Sequence, residues 1–402
     1  MPGQWKTAGV VAALVCAAAW TARAQSQADY NRLLQMDSTY LQYKGAGRWR
    51  EAEDVAEQMV VHARRTGMPK NIELAAVDYI ALSELNLGNY EEALAVYRQV
   101  VAGCSAYRPP TRQIADALKG VWFNGLNGVA RCYRSMRQND EAIAAFGAAA
   151  KYAEGAGLRA EAAAARADQA HVLIDIGRVH EAIAQFEEAK PVLARAAAEE
   201  NPPAAMHSYY ANALQGLATS QMVLGRYNDA EPNAKRAIEI CQRAYGAHPF
   251  TAVAMKVLAL VYSYQNRFAD ARAYYEGAVE IYEGTVGKEN PTCLGIMNNL
   301  ARMYLFTGDE QRAFETVRFV VEQERARFGK GSVQTVESLI NLGNILFQID
   351  RYDEAAAYIA EAQAICEKEL PPDHPTTVEC LWLQLGNDQL RGGDRRAILA
   401  GI

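Results

Sequence analysis

The stretch Gly225-Arg-Tyr-Asn-Asp-Ala230 decides the fold, because it recurs along the whole chain. It returns as Gly47-Arg-Trp-Arg-Glu-Ala52, Gly88-Asn-Tyr-Glu-Glu-Ala93, Arg137-Gln-Asn-Asp-Glu-Ala142 and Gly177-Arg-Val-His-Glu-Ala182. Later come Asn266-Arg-Phe-Ala-Asp-Ala271, Gly308-Asp-Glu-Gln-Arg-Ala313, Asp350-Arg-Tyr-Asp-Glu-Ala355 and Gly392-Gly-Asp-Arg-Arg-Ala397. The terminal alanines fall 41, 49, 40, 48, 41, 42, 42 and 42 residues apart. A steady period of this length is the signature of stacked supersecondary units rather than of one compact core.

Other positions keep step with these alanines. Twelve residues before them stands a small residue: Ala81, Ala130, Ala170, Ala218, Ala259, Ala301 and Gly343. Four residues after them an aromatic recurs at Tyr97, Phe146, Phe186 and Tyr275. Seven residues after, alanine recurs at Ala149, Ala189, Ala237, Ala278 and Ala362. Steps of four and seven mark one face of an α-helix. Each unit therefore reads as a helix, a tight turn and a second antiparallel helix. The small residues let the two backbones approach, and the aromatic fills the gap to the neighbouring pair.

The unit boundaries agree. Pro249, Pro291 and Pro375 follow His248, Asn290 and His374, and proline at the first helical position forfeits no hydrogen bond. Asn290 is placed to cap its helix. Pro191 lies inside an expected helix and should end or kink it. The two long spacings place insertions near Arg108-Pro-Pro-Thr111 and Glu199-Glu-Asn-Pro-Pro203, which read as longer connections with room for a binding loop.

Composition fits this organisation. The 402 residues are 50% apolar and 22% charged, with only 13 prolines. An alanine-rich chain of this kind is expected to be almost wholly helical. The net charge of −6 gives no general attraction for phosphate backbones, so nucleic acid is not an expected partner. Residues 1–24 read as a signal peptide: Lys6, an apolar run from Ala8 to Trp20, then Ala22-Arg-Ala24 as a cleavage site. The expected location is exported, periplasmic or secreted, with no membrane-spanning segment after cleavage. Cys104, Cys241 and Cys366 each stand eleven residues after a marker alanine, a shared slot that argues for packing rather than chemistry.

Enzyme signatures are missing. The six histidines form no metal-ligand spacing with each other or with cysteine, and no nucleophile elbow occurs. Gly284-Thr-Val-Gly-Lys288 is too short for a phosphate loop. The expectation is a non-enzyme without cofactor or metal.

The small residue, the Gly-x-Tyr turn, the alanine twelve on and the aromatic four beyond it resemble the tetratricopeptide repeat. The long period, with Gly246-Ala-His-Pro-Phe-Thr251, Gly287-Lys-Glu-Asn-Pro-Thr292 and Asp373-His-Pro-Thr376, is similar to the kinesin-light-chain subclass. The resemblance implies an all-α, right-handed α-solenoid of about eight to nine helical hairpins over residues 25–402. Its first unit is degenerate, with Tyr40 in the small slot, and its last unit is incomplete.

In that family the first helices line a concave groove. Carried over, the third unit contributes Asn124, Asn127, Arg131 and Arg134, the fourth His171, Ile174 and Asp175, and the fifth Asn212 and Gln215. The sixth contributes Lys256 and Tyr264, the seventh Asn298, Arg302 and Phe306, and the eighth Asn344 and Phe347. Asn127/Arg131 and Asn298/Arg302 are the same pair in the same slots. Amides both donate and accept, so a row of them suits the backbone of an extended chain. The implied function is an exported scaffold that binds an extended segment of another protein, with acidic groups met by the arginines. The alternative is the regulatory half of a larger bacterial protein with a caspase-like protease domain behind the repeats. The apolar end Ala397-Ile-Leu-Ala-Gly-Ile402 stops inside a helix, which also suggests self-association there.

Overall fold

The computed structural model describes residues 27–200, 202–371 and 374–392, and every regular element among them is helical. The signal-peptide segment and the final marker at Ala397 lie outside the described residues. The chain divides after Gly246 into two compact units. The first holds α1 (Gln27–Gly45), α2 (Trp49–Arg65), α3 (Lys70–Leu87), α4 (Tyr90–Ala106) and α5 (Arg112–Ser135). It continues with α6 (Asn139–Ala156), α7 (Arg159–Asp175), α8 (Val179–Ala197), α9 (Ala204–Val223) and α10 (Tyr227–Tyr245). The second holds α11 (Pro249–Tyr264), α12 (Phe268–Thr285), α13 (Pro291–Phe306) and α14 (Glu310–Phe328). A 3-10 turn (Val333–Thr335), α15 (Val336–Gln348), α16 (Tyr352–Glu369) and α17 (Pro375–Gly392) complete it. Odd-numbered helices are the first of each hairpin, even-numbered ones the second. This is the α-solenoid class that the period predicts.

The repeat-locked positions are where the helices meet. All eight described marker alanines, from Ala52 to Ala355, are wholly buried, as are Ala81, Ala130, Ala170, Ala218, Ala259 and Ala301. The recurring aromatic packs on the next hairpin. A side chain on Gly128 would fall 2.3 Å from the Tyr97 ring, and one on Gly216 would fall 2.2 Å from Phe186. In the degenerate first unit, buried Tyr40 stacks on Tyr79 with ring centroids 4.0 Å apart, and its hydroxyl donates to the Tyr79 carbonyl. A flat aromatic pair thus replaces the close backbone approach used elsewhere.

The turns explain the first residue of the repeated phrase. That residue has positive φ in all eight described turns: +92° at Gly88, but also +58° at Arg137, +58° at Asn266 and +65° at Asp350. The next amide then reaches back to satisfy a carbonyl at the helix end, as from Asn89 to Glu84 and from Gln138 to Tyr133. Glycine takes this left-handed conformation without strain, whereas a side chain adds about 1 kcal/mol.

The helix starts follow the proline reading. Pro249, Pro291 and Pro375 open α11, α13 and α17, and Asn290 Oδ1 accepts from the Thr292 amide at 3.0 Å. The His248 ring does the same for Phe250 at 3.2 Å.

Two expectations are corrected. Pro191 does not end its helix: α8 runs on to Ala197, and Pro232 likewise sits inside α10. Both prolines are exposed, while Ala189 and Leu193 on either side of Pro191 are buried. Packing of the inner face holds the helix across the missing hydrogen bond. The first long spacing is also not mainly a loop. Its extra residues lengthen α5 to 24 residues, against 16 in α11 and α13, and Thr111 caps that helix by accepting from the Ile114 amide at 3.2 Å.

Candidate functional site

First helices of consecutive hairpins touch one another, α3 with α5 and α7 with α9 in the first unit, α13 with α15 in the second. Residues three before and one after each small residue are four apart and so share one face of the first helix.

In the first unit the row has a connected centre. Asp168 on α7 accepts from Asn127 Nδ2 on α5 at 3.1 Å and from Asn212 Nδ2 on α9 at 3.0 Å. One carboxylate therefore ties three successive hairpins. A carboxylate only accepts, so it fixes the Asn127 amide with its nitrogen toward Asp168. The Asn127 oxygen must then point elsewhere, and it has no partner although Asn127 is only 9% exposed.

Asp78 on α3 is the second acceptor. It is 7% exposed, Asn124 donates to it, and its Oδ1 has no partner. Burial pushes its carboxyl up to about 7, with the charges of Lys44 and Arg131 and the Asn124 bond pulling the other way. Burial and the Arg131 charge hold the Lys44 ammonium below its usual range. Tyr209 on α9 stands in the same field. Burial raises its hydroxyl, Glu161, Asp168 and Asp78 raise it further, and Arg131 opposes them. His171 is kept below the ordinary histidine range by burial, then by Arg134, and its Nε2 has no partner.

The sequence-predicted residues divide accordingly. Asn124, Asn127, Arg131 and Asn212 are brought into this network. Arg134 is turned to Asp175 of the next first helix, Nε to Oδ2 3.0 Å. Gln215 is half-buried on α9. Arg134 is thus ion-paired to Asp175, and Arg131 stands in the field of Asp78.

The second unit repeats the theme on its own helices. Asn298 on α13 is 5% exposed, and its amide oxygen has no partner, as at Asn127. Arg302, one turn on, is exposed. Burial raises the hydroxyl of Tyr275, Arg302 opposes that and Tyr264 adds to it, and the hydroxyl itself is unpartnered. Burial lowers the half-buried Lys256 ammonium. Asn344 is half-buried on α15. Phe306 stacks on the turn aromatic Phe268 at 4.5 Å, and Phe347 meets Tyr352 edge-on at 5.7 Å. These two rings lean on the hairpin turns at the end of the row.

Sequence reasoning missed Asp78, Asp168 and Tyr209. Asp78 was within reach, because it stands three before Ala81, the slot of Asn127 and Asn298. Asp168 lies two before Ala170, outside the slots carried over, and only the bridge distances mark it. Among the described residues no group of three or more His, Cys, Asp and Glu is placed to hold a metal ion. No described helix is long and apolar enough to cross a membrane. The six described cysteines are buried and free, with burial lifting Cys104 and Cys293 to about 12 and Cys132 and Cys241 to about 11.

Comparison with known proteins agrees with this architecture. Tetratricopeptide-repeat families match residues 75–102, 209–284 and 292–368, so the chain carries tetratricopeptide repeats. No curated protein matches the sequence. Among solved structures, the apo form of the quorum sensor NprR from B. thuringiensis is 12% identical with a TM-score of 0.56, covering 84% of this chain and 87% of that one. A Rap protein complexed with competence and sporulation factor is 10% identical with a TM-score of 0.53, covering 90% and 98%. A putative kinesin light chain of Podosopora anserina with nearly identical TPR-like repeats is 21% identical with a TM-score of 0.43, covering 51% of this chain and 95% of that one. At these identities the likeness to the NprR and Rap structures is one of fold.

Proposed function

We propose that this chain is an exported interaction scaffold of the long, kinesin-light-chain-like repeat kind, holding extended segments of another protein along the first helices of each of its two units. The observation that carries the reading is the pair Asn127 and Asn298. They occupy one repeat slot in the two units, both are more than nine-tenths buried, and both leave the amide oxygen unpartnered. A buried acceptor without a donor is destabilising by about 1–3 kcal/mol. The backbone of an extended segment supplies such donors without regard to its side chains. Each bond so formed adds about 1 kcal/mol, which gives a grip built from several contacts. A like-folded Rap protein is known in complex with competence and sporulation factor, which supports a bound-factor role for the fold.

The test is capture of a soluble pool of random nonapeptides on the immobilised full chain. Asn127→Leu with Asn298→Leu removes both acceptors, and because it also removes the Asn127 donor to Asp168, Asp168→Ala is the control for loss of that bridge. The parent is expected to retain a subset of peptides that the double variant loses, with cooperative thermal unfolding preserved in both. Retention of the same subset by the double variant refutes the groove. Export is tested separately by sequencing the N-terminus of the protein from cells that make it. A start at Gln25 is expected, and an unprocessed start refutes export.

Self-association is proposed at α17. Val378, Leu381, Trp382 and Leu385 recur at helical spacing and are all exposed, Trp382 at 71%. Light scattering is expected to show a dimer that Trp382→Glu dissolves, and a concentration-independent monomer refutes it.

A further inference from the structure

The longest hairpin of the first unit and the end of the helix before it border an open cavity of ≈ 520 Å³ whose lining shares no residue with the Asp168 and Asp78 networks. Its walls come from the end of α4, the Tyr107-Arg-Pro109 connection, the extra N-terminal turns of α5 and the end of α6. The insertion that sets the 49-residue spacing thus builds one side of it.

The lining has two characters. Leu118, Trp122, Tyr107 and Tyr152 make it largely apolar, with the Trp122 and Tyr152 rings 4.8 Å apart and tilted. Arg108, Lys119 and Lys151 also line it, and no acidic residue does. Lys119 is neutralised by Asp116 at 2.7 Å. Arg108 donates only to the Ser105 and Tyr107 carbonyls, and Lys151 is exposed without an ion pair among the described residues. Two uncompensated cations therefore stand over an aromatic floor. Ligand pockets commonly span about 300–1,000 Å³ and combine apolar walls with a few orienting polar groups. Guanidinium and ammonium groups bind carboxylates by charge-assisted hydrogen bonds.

We propose that this cavity binds a small amphipathic carboxylate, with its apolar body against Trp122 and Tyr152 and its carboxylate at Arg108 and Lys151. The site does not depend on the segment-binding row. It makes the chain a receptor for a small molecule as well as for a protein segment.

The test uses the full chain, with anilinonaphthalene sulfonate as a fluorescent anionic probe and decanoate as competitor. One saturable site is expected, with energy transfer from Trp122 that Trp122→Phe abolishes while binding persists. Decanoate is expected to displace the probe and decanol to do so at least about tenfold less well. Arg108→Glu with Lys151→Glu changes two exposed side chains and is expected to weaken probe binding at least about tenfold, with helicity and melting unchanged. Equal affinity in the charge-reversed variant overturns the proposal. So does probe binding that survives excess decanoate, or that shows no transfer from Trp122.

Discussion

Replacing Asp168 by alanine removes the acceptor shared by Asn127 and Asn212. The two bonds are 3.1 and 3.0 Å, and hydrogen bonds to a charged group are each worth about 1.5–3 kcal/mol. The two losses are unequal. Asn212 is half-buried and turns to water, so most of its bond is recovered. Asn127 is 9% exposed and already has an unpartnered oxygen, so its whole amide is left unsatisfied. The expected destabilisation is about 2–4 kcal/mol. Each hairpin contacts only its neighbours, so the effect should stay local. Hydrogen exchange read by mass spectrometry on the intact chain is the assay. Amides of α5, α7 and α9 should exchange faster by roughly 30- to 800-fold, the same free energy expressed as a ratio. Those of α13 and α15 should not change. Asp168→Asn keeps one acceptor oxygen and should show about half the free-energy loss. An alanine variant within about 0.5 kcal/mol of the parent refutes the bridge, as does an asparagine variant equal to alanine.

Other expectations follow from the same geometry. Arg137→Gly relieves a left-handed side-chain-bearing residue at φ +58° and should raise stability by about 0.5–1 kcal/mol in urea unfolding, whereas a loss contradicts the turn assignment. Gly128→Ala drives a methyl into the Tyr97 ring and should destabilise by about 1–3 kcal/mol, while Gly120→Ala meets nothing within 4 Å and should stabilise slightly by thermal melting. Asp78→Asn probes the raised carboxyl. The folded protein keeps the Asp78 proton up to about 7 and the unfolded chain loses it near 3.8, so parental stability falls as pH rises through that window. Asparagine does not titrate, so the variant should gain on the parent by up to about 4 kcal/mol between pH 4 and pH 8, read from urea midpoints, and a gap that stays constant refutes the assignment. The buried cysteines should resist a thiol reagent at pH 8 in the native protein and react only after unfolding.

The fold was legible because its determinants repeat. A single buried alanine says little, but the same alanine in eight hairpins, in seven of them twelve residues after another small residue, fixes where two helices touch. Turn geometry was legible in the same way, since glycine stands in most copies of the left-handed slot and Arg137, Asn266 and Asp350 are pulled into it by their neighbours. Pro191 was misjudged because local backbone rules predict a break, while burial of Ala189 and Leu193 across it is a tertiary effect. The acidic neighbours of two arginines were not legible for a related reason, since they come from other hairpins: Asp175 for Arg134 and Asp78 for Arg131.

Periodicity explains the scaffold and, for that reason, says little about the cargo. What every hairpin shares must serve stacking, so recognition has to lie in what some hairpins do differently. Asp168 bridges to the hairpins on both sides, whereas Tyr79 in the same slot donates to Asp37 of the hairpin before it, and Asp168 so converts three stacked hairpins into one polar centre. The long α5 is a second departure, and it supplies one wall of the Trp122–Tyr152 cavity. The recurrence of Asn127 at Asn298 is the instructive case between these extremes. Three of the hairpins keep an amide in that slot, Asn127, Gln215 and Asn298, and the two asparagines are buried with an idle oxygen. Stacking alone does not require an amide there, since Ala167 and Ile340 fill the same slot in other hairpins. At Asn127 the Nδ2 bond to Asp168 accounts for one half of the amide, and the idle oxygens of Asn127 and Asn298 are the half that the proposed bound segment would satisfy.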